Sequence, residues 1–75
     1  MWLVIINCSA EAWSLHSKEF DAIAPKHPGT LVSSKQRTKD ESRLIQYKFE
    51  DVEDAEAFQD ECAALSGFSA RFESL

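Results

Sequence analysis

Glycine and proline are scarce in this chain, with two of each in 75 residues. No glycine-rich loop is therefore available to cradle a phosphate or dinucleotide. At 44% hydrophobic residues the chain also has too much apolar content for global disorder. Cysteine is equally sparse. Cys8 and Cys62 are too few and too isolated for a disulfide framework, and no CxxC or HxxxH spacing joins them to His16 or His27 as metal ligands. Long apolar runs are missing too. The stretch from Trp2 to Ile6 is far short of the about 20 residues that cross a bilayer, and it lacks the basic flank of a signal peptide. We expect it to be a strand in a cytoplasmic protein with no membrane association.

The final third is nearly devoid of basic residues. From Phe49 to Leu75 a single Arg opposes eight acids, giving −7. From Gly29 to Lys48 five basic residues oppose two acids, giving +3, and the first 28 residues carry −1. The formal net charge is −5. Such bipolarity concerns partners and solubility rather than fold. A chain of this length is one domain, residues 1–75, burying only about 60% of its unfolded surface. A small core leaves little room for an enclosed active site.

Hydrophobic period orders the elements. Trp2 to Asn7 is apolar at nearly every position, as in a central strand. Ser9 then suits an N-cap, with Glu11 in the first helical turn. Trp13, His16, Phe20 and Ile23 form one helical stripe, which Pro25 ends. Thr30 to Arg37 is weakly apolar and turns polar at Ser33, the composition of an edge strand. A polar turn follows over Thr38 to Glu41. In Ser42 to Glu50, Ile45, Tyr47 and Phe49 alternate with Leu44, Gln46 and Lys48, so one set faces a core. Asp51 is placed to cap a second helix whose inner stripe is Val52, Ala55, Phe58, Cys62 and Leu65, with Gly67 as its C′ residue. Phe68, Ala70 and Phe72 point inward from a last strand ending near Glu73.

The sum, βαββαβ, resembles the ferredoxin-like fold. That resemblance is topological and spans the chain. It implies an α+β sandwich with a four-stranded antiparallel sheet in order 4-1-3-2 and two helices on one face. No sequence repeat relates the halves.

Several chemistries share this topology, and the residues argue against each. RNA-recognition domains place exposed aromatics and glycine on the third strand. Here that strand has no glycine, and its aromatics share the core face. Lys35, Arg37, Lys39, Arg43 and Lys48 could contact phosphates, but the net acidity makes direct nucleic-acid binding the weaker expectation. Acylphosphatases need a phosphate loop with Arg after the first strand, where this chain has Asn7, Cys8 and Ser9. Cys8 near a helix start could be activated, yet His16 lies two turns on and no orienting acid is evident. We expect no enzyme, no cofactor and no metal.

Two surfaces remain. Glu53, Asp54, Glu56, Asp60 and Glu61 crowd the second helix, and their outer face could dock a basic, nucleic-acid-handling protein. Small acidic phage inhibitors of the anti-CRISPR kind, which mimic a row of phosphates, resemble the chain in size, charge and fold. The second surface is the uncovered face of the sheet. Whichever alternate set of the first strand is buried, large apolar residues remain on the other, joined by Leu44 and screened by Gln46, Lys48 and Arg71. Two such faces packed together would make a homodimer. The expected function is a small acidic interaction module that binds or occludes a protein partner. A ligand-binding regulatory domain of the ACT type is the alternative, although it would need a glycine-rich turn after the first strand.

Overall fold

The computed structural model describes residues 1–36 and 42–75. It contains β1 (Trp2–Cys8), α1 (Ala10–Ile23), β2 (Thr30–Gln36), β3 (Arg43–Phe49), α2 (Val52–Ala63) and β4 (Phe68–Ser74). The strands form one antiparallel sheet in the order β2-β3-β1-β4, the expected arrangement. Arg37, Lys39 and the turn expected at Thr38 to Glu41 lie outside the described residues.

Strand pairing settles which side of β1 is buried. Val4, Ile6 and Cys8 stand opposite Tyr47, Ile45 and Arg43 on β3, and opposite Phe72, Ala70 and Phe68 on β4. Directly opposed residues share a face, so the inward aromatics of β3 and β4 draw this set of β1 into the core. Ala12 and Phe20 of α1 and Ala55, Phe58 and Cys62 of α2 join the same buried cluster, so both helices cover one face. Phe58 is fully buried at its centre, with the Tyr47 ring at 5.0 Å and the Phe49 ring at 5.2 Å. Phe20 sits 5.8 Å from Trp13 and 6.3 Å from Phe68, tying α1 to β4. Each such aromatic pair adds about 0.5–1.5 kcal/mol beyond the area it buries.

Local signals account for the helix ends, with two corrections. Ser9 caps α1, its hydroxyl accepting from the Ala12 amide at 3.1 Å. Pro25 does not stop the chain outright. The helix tightens into a 3₁₀ turn over Ala24–Lys26, with the proline in its first turn, where a missing N–H costs nothing. Asp51 occupies the N-cap of α2 but makes no side-chain capping bond. Glu53 and Asp54 still offset the positive end of the helix. Val52, expected in the inner stripe, is 37% exposed because it is the first helical residue, before the helix turns toward the sheet. Gly67 ends the α2 region at φ +83°, in the left-handed region. A Cβ there would lie 2.6 Å from that of Ala12, so this glycine also lets α1 approach the start of β4.

β2 is the outermost strand beside β3. Its pairing is irregular between Leu31 and Ser33, leaving Val32 as an extra residue, as in a β-bulge. Leu31 and Val32 are both about half exposed, since neither helix reaches over this edge.

Candidate interaction surface

No helix covers the far side of the sheet. Register places its side chains in three rows running from β2 through β3 and β1 to β4. The first row is Thr30, Lys48, Leu3 and Glu73; the second is Ser33, Gln46, Ile5 and Arg71; the third is Lys35, Leu44, Asn7 and Ser69. Leu3, Ile5 and Leu44 form an apolar strip over the two central strands, half-buried by their longer neighbours. Ser33 donates to the Gln46 amide oxygen at 3.3 Å, and Ser69 donates to the Asn7 carbonyl at 3.5 Å. A shallow groove of about 390 Å³ runs across this face, lined by Ile5, Asn7, Leu44, Gln46, Ser69 and Arg71. Among the described residues no ion pair involves Lys48, Arg71 or Glu73. Leu44, Gln46 and Lys48, expected together on the open face, are brought together here.

The acidic residues expected to form the other surface are on α2, across the sandwich. Glu53, Glu56 and Asp60 are exposed, and Asp54 is half-buried. Glu61 differs from them. His27 donates from Nε2 to its carboxylate at 2.8 Å, and the His27 ring stands edge-on to Phe58 at 5.3 Å. That hydrogen bond holds the Glu61 carboxyl below the usual carboxylate range. The two expected sets approach only at one end of the sheet, where Lys48 and Asp54 help line a depression of about 250 Å³. They form separate surfaces on opposite sides of the molecule.

The reactive residues weighed from the sequence are packed away. Cys8 and Cys62 are free and buried. Burial raises the Cys8 thiol above its ordinary pKa, and burial with the Glu61 charge beside it pushes Cys62 up to about 12. His16 bonds through Nδ1 to Glu19 at 3.0 Å, and its ring packs edge-on to Phe68. No hydrogen bond joins His16 to Cys8 among the described residues. Arg43, grouped from sequence with the phosphate-contacting cations, lies on the helix-covered side of β3. Its guanidinium stacks over the Trp13 ring at 4.5 Å and donates to the Ser34 hydroxyl at 3.3 Å. It is therefore removed from the open face. Among the described residues no group of three or more His, Cys, Asp or Glu side chains converges to hold a metal, and no helix is long and apolar enough to cross a membrane.

Sequence reasoning offered Leu3 and Ile5 only as one of two possible exposed sets, named Arg71 only as a screening residue, and missed Glu73. The alternation of Phe68, Ala70 and Phe72 already implied that Ser69, Arg71 and Glu73 face outward. Comparison with known proteins bears on the architecture. No family model matches the chain, and no curated protein matches it significantly. The ACT domain from GTP pyrophosphokinase of Chlorobium tepidum superposes with a TM-score of 0.66 over 96% of this chain and 95% of that one, at 8% identity. An uncharacterized NIPSNAP domain protein from Burkholderia xenovorans superposes with a TM-score of 0.62 over 100% and 94%, at 12% identity. The chain has a ferredoxin-like fold. At such low identity the likeness extends to the ferredoxin-like architecture alone, and the surface residues just described are this chain's own.

Proposed function

We propose that this chain is a protein-interaction module that docks through the open face of its sheet. The carrying observation is the strip of Leu3, Ile5 and Leu44 on the one broad surface that neither helix covers. Apolar residues grouped on a face and rimmed by polar ones are typical of interfaces. Gln46, Lys48, Arg71 and Glu73 supply the rim. The ACT-type ligand reading keeps the same fold, but the turn after β1 is not glycine-rich, and the Ala12 amide in the first turn of α1 is met by the chain's own Ser9. The acidic face of α2 is a second docking candidate, supported by the exposure of Glu53, Glu56 and Asp60.

Cross-linking in native lysate tests the reading, with wild type compared with Leu44→Glu and Ile5→Lys. Both variants should keep the wild-type circular dichroism and lose the same cross-linked product. A product that survives both substitutions would remove the sheet face as the docking site.

A further inference from the structure

The rows of the open face have a symmetry that names an occupant. Resting on the docking role just given to this face, we propose that its partner is a second copy of this chain, packed sheet to sheet about a two-fold axis that runs close to the direction of β1.

A two-fold in that direction keeps each row in place and exchanges the β3 and β4 columns. Leu3 then meets Leu3 of the other copy, and Ile5 meets Ile5. Lys48 on β3 comes opposite Glu73 on β4, and because the operation is its own inverse this contact forms twice. Gln46 comes opposite Arg71, and Leu44 opposite Ser69. Within one chain Lys48 and Glu73 flank Leu3 on two non-adjacent strands, about 10 Å apart. Neither has an ion pair among the described residues, so both charges are available to the second copy.

The other in-plane axis, perpendicular to the strands through Ile5, gives a poorer match. It would set Arg71 against Arg71, Lys48 against Leu44 and Leu3 against Asn7. Like charges would meet, and each apolar residue except Ile5 would lose an apolar partner. The parallel axis brings no like charges together and keeps Leu3 and Ile5 on apolar partners, with Leu44 alone facing a polar residue, Ser69.

β2 supplies an independent sign. An axis along β1 overlays only the columns of β3, β1 and β4, so β2 overhangs the interface. Its open-face residues are Thr30, Ser33 and Lys35, all polar, and the apolar strip stops short of it. The polar residues of β2 are left outside by this axis, whereas those of β4 are the partners of β3 across it. Aligned sheets pack at about 10 Å with a rotation of about 30°, which sets the two-fold about 15° from the β1 direction. That turns the corner pairs by roughly one strand spacing, within reach of a lysine and a glutamate side chain.

Sedimentation equilibrium of the whole chain decides the matter, using wild type, Lys48→Glu, Glu73→Lys and the double reversal. Wild type should be a dimer. Each single reversal sets like charges face to face twice and should weaken the dimer by at least about tenfold. The double reversal restores opposite charges and should return the affinity to within about threefold of wild type. Lys48→Gln and Glu73→Gln read the same contacts with smaller losses, should a reversal disturb folding. The proposal is overturned by a wild type that remains monomeric at its highest soluble concentration, by single variants that dimerise normally, or by a double variant no better than the worse single. A monomer that still forms its Leu44-dependent cross-link would retire the second copy while leaving the docking face. A dimer indifferent to Leu44→Glu would remove both readings.

Discussion

Glu61 and His27 are 34 residues apart in the chain, yet their side chains meet at 2.8 Å. The contact pins the loop before β2 onto α2 and places the imidazole against Phe58. Because the bond lowers the Glu61 pKa in the folded state, its stabilisation is present above the ordinary carboxylate pKa. It is lost as pH falls through the lowered value. Glu61→Gln should therefore melt below wild type at pH 7, and the gap should narrow as pH falls below the ordinary carboxylate range, as a series of thermal scans across acid pH would show. A gap that does not narrow at all as pH falls would mean that the His27 hydrogen bond is not its source. No periodic pattern could have revealed this pair, since neither residue belongs to a stripe. The cysteines, in contrast, were legible from their apolar neighbours. With Cys62 fully buried and pushed up to about 12, thiol reagents should label the native protein only as fast as it unfolds. Cys62→Ser should cost about 1–3 kcal/mol, the penalty for burying an unpaired hydroxyl, and denaturant melts would measure it. Rapid native labelling would contradict this packing.

Among the elements, α2 shows the tension between folding and surface most clearly. Its last turn carries no basic residue, and Glu56 and Asp60 repel each other one turn apart. Asp60→Lys would reverse both effects, pairing with Glu56 and with the negative end of the helix. It should raise stability by about 0.3–1 kcal/mol in low salt, with the gain shrinking as salt is added. If the acidic face also docks a basic partner, the same substitution should slow association. A stabilised helix with unaltered binding would leave the charge as a solubility feature. The existence and order of all six elements could be read from sequence, because β3, β4 and both helices show a period of two or 3.6, β1 is a short apolar run and β2 a polar edge, with Ser9, Pro25 and Gly67 as boundaries. The interior face of β1 could not. Trp2, Val4, Ile6 and Cys8 are as apolar as Leu3 and Ile5, and only pairing with Ile45, Tyr47 and Phe49 separates them. Val52 was misplaced for a related reason, since a helical wheel does not show where the first turn stands relative to the sheet.

At the scale of the molecule, the charge asymmetry divides between the two sides of one sandwich. Lys35, Lys48 and Arg71 lie on the open face, and the acids of α2 lie across from them. Composition by segment gave the signs of these surfaces but not their separation, which depends on register. Arg43 shows the limit of that approach, since one step along β3 moves a cation from solvent to a stack on Trp13. The outer margin of the sheet carries a last consequence. Strands in repeating fibrils must stack in uniform register, each presenting the same regular ladder to the next. The extra residue at Val32 interrupts that ladder on β2, so a strand arriving there finds mismatched backbone partners despite the exposed Leu31 and Val32. Deleting Val32 would leave Leu31 and Ser33 in unbroken alternation opposite Tyr47 and Gln46. The straightened variant should form thioflavin-binding fibrils at concentrations where the natural chain stays in solution. If it stays equally clear, Lys35 alone suffices to guard the margin. One inserted valine would thus set a ceiling on growth, letting an exposed sheet margin persist without seeding polymer.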